Sequence, residues 1–337
     1  MKKIFNITIC VLFSVFLLVG CGQTSSKEEA GQTVPKVEEK IDINIATLKG
    51  PTTMGMVKLM SDSEAGITDN NYKVSMSGTA DEIVAKIVKG DIDVAAVPCN
   101  LASVLYNKTQ GEISIAAINT LGVLYIVENG NEINSIKDLK GKTIYSTGKG
   151  TTPEYVLNYL LTENGIDVTK DIKIEYKSEA TEVAAILSED SSAIAMLPQP
   201  FVITAQSKNK NLRVALDMTD EWNKVQGDNG SALVTGVVIA RNEFIKENNV
   251  AFQKFLEDYK KSTDYVNSNI DEASTLIEKY DIVPAAVAKK AIPLCNITYV
   301  DGNDMKTKVS GYLKVLFNQN PQSVGGTLPD DEFYYKK

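Results

Sequence analysis

The chain of 337 residues contains no histidine. That absence excludes a histidine-dependent catalytic triad, a histidine-rich zinc or manganese site and any imidazole pH switch. Arginine is confined to Arg213 and Arg241. A ligand clamped by several guanidinium groups is therefore excluded. Basic residues are too few for a nucleic-acid partner: Lys and Arg number 35 against 43 Asp and Glu, for a net charge of −8. Cysteine is sparse, at Cys10, Cys21, Cys99 and Cys295. Outside the cytoplasm Cys99 and Cys295 could bridge, although spacing alone does not establish their proximity. Apolar runs are also scarce, because only Ile4 to Val19 is long and it falls short of the ~20 residues that a membrane span needs.

What is present begins with that run. Lys2 and Lys3 precede it, and Leu18-Val-Gly-Cys21 closes it with a small residue before cysteine. Residues 1–20 read as a lipoprotein signal peptide, and Cys21 as the lipidated first residue of the mature chain. Two acyl chains on that sulfur would anchor the protein stably to a membrane. Residues 21–40 are rich in Ser, Gln, Glu and Lys and read as a flexible tether. From Ile41 onward, alternating strand and helix periods predict an α/β unit.

A ligand cradle is expected at Gly141 to Glu154. Ile144 and Tyr145 close a strand, Gly148 and Gly150 permit positive φ, and Thr152-Pro153 opens a helix as N-cap and first-turn proline. Unpaired N–H groups at such a helix start favour an anionic or carbonyl-bearing ligand. A capped turn without a ligand is the alternative. Nucleotide motifs do not fit, because a P-loop ending at Gly141-Lys142-Thr143 needs glycine at Ile136, and the loop has no GxGxxG.

The arrangement recurs about a hundred residues apart. The strand Ile41 to Leu48 leads through Lys49-Gly50-Pro51 into Thr52-Thr53, which echoes Thr151-Thr152. Further on, Glu82 aligns with Glu182, Ala95 with Ala195 and Pro98 with Pro198. Two related lobes are expected, with lobe 1 at 41–120 and 238–337 and lobe 2 at 121–237. Thr79 and Glu82 form the pattern of a capping box. Phe252, Phe255, Leu256, Tyr259 and Tyr265 share one helical face and read as core.

The lipobox, "DIDVAAVP" at 91–98, "SIKDLKGKTIYSTGKGTTPEYVLNYLLTENGID" at 135–167, "AIAMLPQPF" at 193–201 and "TGVVIARNEFIKEN" at 235–248 resemble ABC-transporter solute-binding lipoproteins. The group is the one similar to nitrate, taurine and alkanesulfonate, and thiamin-precursor or riboflavin binding proteins. The resemblance implies a type II periplasmic-binding-protein-like fold, two β crossovers acting as a hinge, and hinge closure on a ligand. It implies an ABC permease and its ATPase as partners, no cofactor or metal, and no catalysis. Carried onto this sequence, it places Thr52, Thr53, Met54, Cys99, Asn100, Asn119 and Thr120 at the ligand from lobe 1. Lobe 2 would add Ser146, Thr147, Gly148, Lys149, Gly150, Thr151, Thr152, Gln199 and Trp222. Met54 and Cys99 depart from a simple nitrate or sulfonate site, and hydroxyls, amides and aromatics suit a heteroaromatic or aromatic ligand at least as well. Enzymes of the same fold, of pyrimidine-synthase or menaquinone-pathway type, and a ligand-sensing surface receptor are the alternatives.

Overall fold

Eleven strands, assembled into two sheets, form the frame of the described residues, which in this computed structural model are 40–227 and 231–336. The signal segment 1–20, Cys21 and the tether up to residue 39 lie outside them. The strands are β1 (Asp42–Leu48), β2 (Asn71–Ser77), β3 (Val94–Pro98), β4 (Ile113–Leu121), β5 (Leu124–Glu128), β6 (Thr143–Ser146), β7 (Lys173–Tyr176), β8 (Ile194–Pro198), β9 (Arg213–Asp217), β10 (Val234–Arg241) and β11 (Ile297–Val300). The first sheet runs β11-β4-β10-β3-β1-β2 and the second β7-β6-β8-β5-β9.

The two sheets share one plan. In each, three parallel strands (β2-β1-β3 or β7-β6-β8) are followed by one antiparallel strand that has just crossed from the other lobe. That strand is β10 in the first sheet and β5 in the second, and each pairs antiparallel with its neighbour on both sides. The chain leaves the first sheet at Leu121, passes Gly122 and Val123, and enters the second at Leu124. It returns through β10. The sequence repeat is thus a repeat of topology, with Pro98 and Pro198 at matching strand ends, paired to Gly236 and Leu124.

Composition explains the central strands. Every residue of Val-Ala-Ala-Val-Pro in β3 and of Leu-Tyr-Ile-Val-Glu in β5 is buried, as expected for strands covered on both faces. Helices fill the crossovers: Ala80–Lys89 buries Ile83 and Ile87, and its counterpart Ala180–Glu189 buries Val183 and Leu187. The aromatic face of helix Asn249–Ser268 is core, with the Phe255 and Tyr259 rings stacked 5.9 Å apart, and Tyr265 half-buried at its edge. Lys40 to Lys337 forms one compact unit with its own apolar cores. Cys99 and Cys295 are both free and buried.

Several local expectations are corrected. The segment after Gly50, which the sequence suggests as one helix from Met54 to Met60, forms two short helices, Pro51–Met54 and Val57–Glu64. Thr79 is the N-cap of Ala80–Lys89, but its side chain makes no capping bond, so the capping box with Glu82 is not formed. Thr151, not Thr152, is the N-cap of helix Thr152–Glu163. Residues around Trp222 are helical, Met218–Gln226, with the Asp217 carboxylate accepting from the Thr219 N–H as cap.

Candidate functional site

Loops at the carboxyl ends of the parallel strands converge from both sheets on one cleft, where open α/β sheets bind ligands. The first lobe contributes Lys49 to Thr52 after β1, Gly78 to Asp81 after β2 and Pro98 after β3. The second contributes Thr147 to Pro153 after β6, Lys177 to Thr181 after β7, and Pro198 and Phe201 after β8. Thr120, Val123, Leu124 and Thr235, from the two crossovers, line it as well. The cavity measures about 390 Å³, the size of a small-molecule site.

The cradle takes its shape from Gly148 and Gly150, at φ 72° and 77°, conformations that favour glycine. The Thr151 N–H and hydroxyl both donate to the Gly148 carbonyl, at 2.9 and 2.8 Å. The Gly150 N–H donates to the Glu154 carboxylate at 2.5 Å. An acid in the first turn therefore already occupies one of the N–H groups that the sequence suggested for a ligand anion.

The sixteen predicted ligand residues divide sharply. Thr52, Thr120, Thr147, Gly148, Lys149, Thr151 and Thr152 line the cleft, and Gly150 lies within the same loop. Thr52 donates to the Leu48 carbonyl at 2.8 Å, and the fully buried Thr53 hydroxyl does the same at 2.5 Å. Met54 faces inward, in a core with Val57, Ile277 and Val287. Cys99 is fully buried, and burial pushes its thiol far above the ordinary thiol range, so it presents no thiolate. Ser146 is fully buried, its hydroxyl turned to the Thr147 carbonyl at 3.3 Å. Gln199 is fully buried and accepts from the Ile203 N–H at 3.3 Å. Asn119 is fully buried beside the Tyr259 hydroxyl, and neither of its polar side-chain atoms has a partner at hydrogen-bonding geometry among the described residues.

Trp222 is not brought to the cleft. It is fully buried on the inner face of its helix, between the rings of Tyr159 at 5.0 Å and Tyr312 at 5.5 Å. Its indole N–H donates to the Ser231 carbonyl at 2.7 Å. Conversely, Thr79, Asp81, Lys177 to Thr181, Phe201 and Thr235 line the cleft without having been singled out. The repeat carried the missing signal, since 78–81 and 178–181 are the same loop in the two lobes.

Charge in the cleft comes from Lys49, Lys149 and Lys177 against Asp81 and Glu179. Lys177 stands 5.4 Å from the Tyr145 ring centroid and 3.6 Å from Glu175. Both arginines are engaged elsewhere: Arg213 with Glu128 and the Gly130 and Ile133 carbonyls, Arg241 with Asp93, Glu243 and the Ile92 carbonyl. Thr120 is 1% exposed, and its hydroxyl and that of Thr235 have no hydrogen-bond partner among the described residues.

Two lobes of this topology joined by two crossovers, with a cleft between them, are the periplasmic-binding-protein-like fold. Residues 113–273 match the family model described as NMT1/THI5 like. No curated protein sequence matches the chain. Among solved structures it is similar to an ABC transporter from Parabacteroides distasonis, with 24% identity over 89% of this chain and 100% of that one, at a TM-score of 0.71. It is also similar to the periplasmic aliphatic sulphonate binding protein SsuA from Escherichia coli, with 16% identity over 88% and 93% of the chains and a TM-score of 0.70. The periplasmic nitrate-binding protein NrtA from Synechocystis PCC 6803 matches with 13% identity over 74% and 69%, at a TM-score of 0.57. At these identities the likeness is one of fold.

Proposed function

We propose that this chain is the extracytoplasmic solute-binding component of an ABC importer. The carrying observation is the cleft itself, walled by strand-end loops of both lobes and lined also by Thr120 and Thr235, whose hydroxyls have no partner among the described residues. A ligand touching both walls favours the closed form, because only that form offers both sets of contacts. The closed protein docks on a permease coupled to its ATPase, and opening there releases the ligand. Capture and delivery involve no chemistry. Export through the signal at 1–20 and lipid attachment at Cys21 would hold the domain at the outer membrane surface on its tether.

The ligand we infer is a small organic molecule. Phe201, Pro51, Pro98 and Pro198 offer an apolar wall, the Thr120 and Thr235 hydroxyls hydrogen-bond a neutral polar group, and the lysines accommodate an anionic substituent. A bare inorganic anion fits less well. The described cations of the cleft are Lys49, Lys149 and Lys177 of its loops, and desolvating an anion away from them costs several kcal/mol.

A thermal-shift screen against sulfonates, nitrate, pyrimidines, flavins and aromatic acids tests this reading. A ligand at ~100 times its dissociation constant adds about 2.7 kcal/mol of stability, a rise of a few degrees. The expected hit is an aromatic or heteroaromatic compound whose shift shrinks in Thr120→Val. No shift with any compound, together with no small molecule released from denatured protein, would overturn it.

A further inference from the structure

The lobes touch at several places, including the Trp222 and Tyr312 rings 5.5 Å apart and the loops at the cleft. Gly50 abuts Phe201, whose Cε2 lies 3.7 Å from where a Cβ would stand. Gly78 faces the Glu179 carboxylate, 2.6 Å from the corresponding point. Hydrogen bonds join the lobes as well: the Tyr125 hydroxyl donates to the Leu294 carbonyl at 3.1 Å, and at the cradle the bonds come from Asn100. Asn100, fully buried in the first turn of helix Cys99–Lys108, donates from Nδ2 to the Ser323 carbonyl at 3.0 Å and to the Gly150 carbonyl at 3.3 Å. Its Oδ1 accepts from the Thr152 hydroxyl at 3.4 Å.

Both N–H groups and the carbonyl of this amide are thus committed within the protein, which leaves no donor to offer a ligand. Ser323 belongs to the C-terminal segment fixed on the first lobe, where Ser103 and Asn107 also bind the Val324 carbonyl at 2.8 and 2.9 Å. Gly150 and Thr152 belong to the cradle of the second. Separation of the lobes would keep the Ser323 bond and break the other two. The repeat shows that the device is one-sided, because the position equivalent to Asn100 is Pro200, which has no amide side chain.

We propose that Asn100 is a positioning residue, an amide clip that holds the cradle against the first lobe and sets the open-to-closed ratio before any ligand arrives. The inference rests on reading the cleft as a ligand site only for its biological purpose, since the clip itself is tested in ligand-free protein. Two neutral, rather long hydrogen bonds exchanged for water on opening shift that ratio by roughly tenfold.

Small-angle scattering of the Lys40–Lys337 unit tests it. The ligand-free wild type is expected near the compact radius of gyration of about 19 Å for roughly 300 residues. Asn100→Ala and Thr152→Val, the latter sparing the Ser323 bond, should both shift it upward. Asn107→Ala, which loses bonds to the Val324 and Thr327 carbonyls but none to the second lobe, should leave it unchanged. If Asn100→Ala loses its circular-dichroism signal, Thr152→Val decides alone. Variants that scatter like the wild type, or a ligand-free wild type already as extended as the variants, would overturn the clip. A cleft that binds nothing in the thermal-shift screen leaves this result untouched.

Discussion

Thr120 and Thr53 are buried threonines that a sequence cannot tell apart, yet their hydroxyls have opposite surroundings. Thr53 bonds the Leu48 carbonyl and meets the Thr47 hydroxyl at 3.1 Å, whereas Thr120 lines the cleft and its buried hydroxyl has no partner among the described residues. Thr53→Val should therefore cost about 1–2 kcal/mol in chemical denaturation, because the Leu48 carbonyl loses its short partner. Thr120→Val should leave stability unchanged or slightly raised, and weaken ligand binding about tenfold by calorimetry. Equal stability losses in the two variants would remove the argument for Thr120 as a ligand contact. Gly148 is a third case. At φ 72°, with a new Cβ only 2.7 Å from the Thr151 hydroxyl and 2.9 Å from the Pro153 ring, Gly148→Ala should strain the cradle by about 1–3 kcal/mol. A melting temperature equal to wild type would contradict that.

Among elements, helix Met218–Gln226 shows what the sequence carried and what it withheld. The family resemblance placed Trp222 at the ligand, but an amphipathic helix puts it on the inner face, against Tyr159 and Tyr312 of helices Thr152–Glu163 and Gly302–Gln319. Trp222→Ala is expected to cost about 3–5 kcal/mol of stability, as for other buried aromatic truncations, with ligand affinity affected only through folding. Strand ends, helix faces and the β-α-β repeat were legible because period and apolar content determine them locally. The Thr79 cap and the direction of the Met54 side chain were not, since packing from distant elements decides them. Glu154 could have been anticipated as the acid of the first turn. Its bond to the Gly150 N–H depends on the loop folding back.

For the whole molecule, the absence of histidine has a direct consequence in pH. Asp167 is held well below the carboxylate range by the Lys170 ammonium and the Thr169 hydroxyl and N–H, and Asp138 is lowered by the N–H of Asn134 and the Ser135 hydroxyl. A lowered folded-state pKa gives stability that is present above the unfolded value of about 4 and lost as pH falls below it. Both groups are exposed, so each contribution is small. Tyr106 is pushed up to about 12 by burial and by the Asp330 carboxylate it donates to. Stability from that raised pKa is complete below the unfolded value of about 10 and is lost as pH climbs through 12. Thermal melts should thus be flat from about pH 6 to 8 and fall on both sides, and a transition near pH 6.5 would contradict this. The two-lobe architecture was legible because the repeat exposes it. The cleft lining was half legible, because knowing which loops converge requires the crossover geometry.

That geometry also dictates an order of assembly. The second sheet is one uninterrupted stretch of chain, from β5 to β9, and can close as soon as it is synthesised. The first sheet must wait, because β10 belongs between β3 and β4 and is made only after the entire second lobe. A nascent chain that ends before Val234 therefore carries one finished lobe and one in which the edges of β3 and β4 that pair with β10 are bare. Such edges are templates for mispairing. An exported chain would meet this hazard during passage, so its first lobe is the half that a holding chaperone should grip and release last.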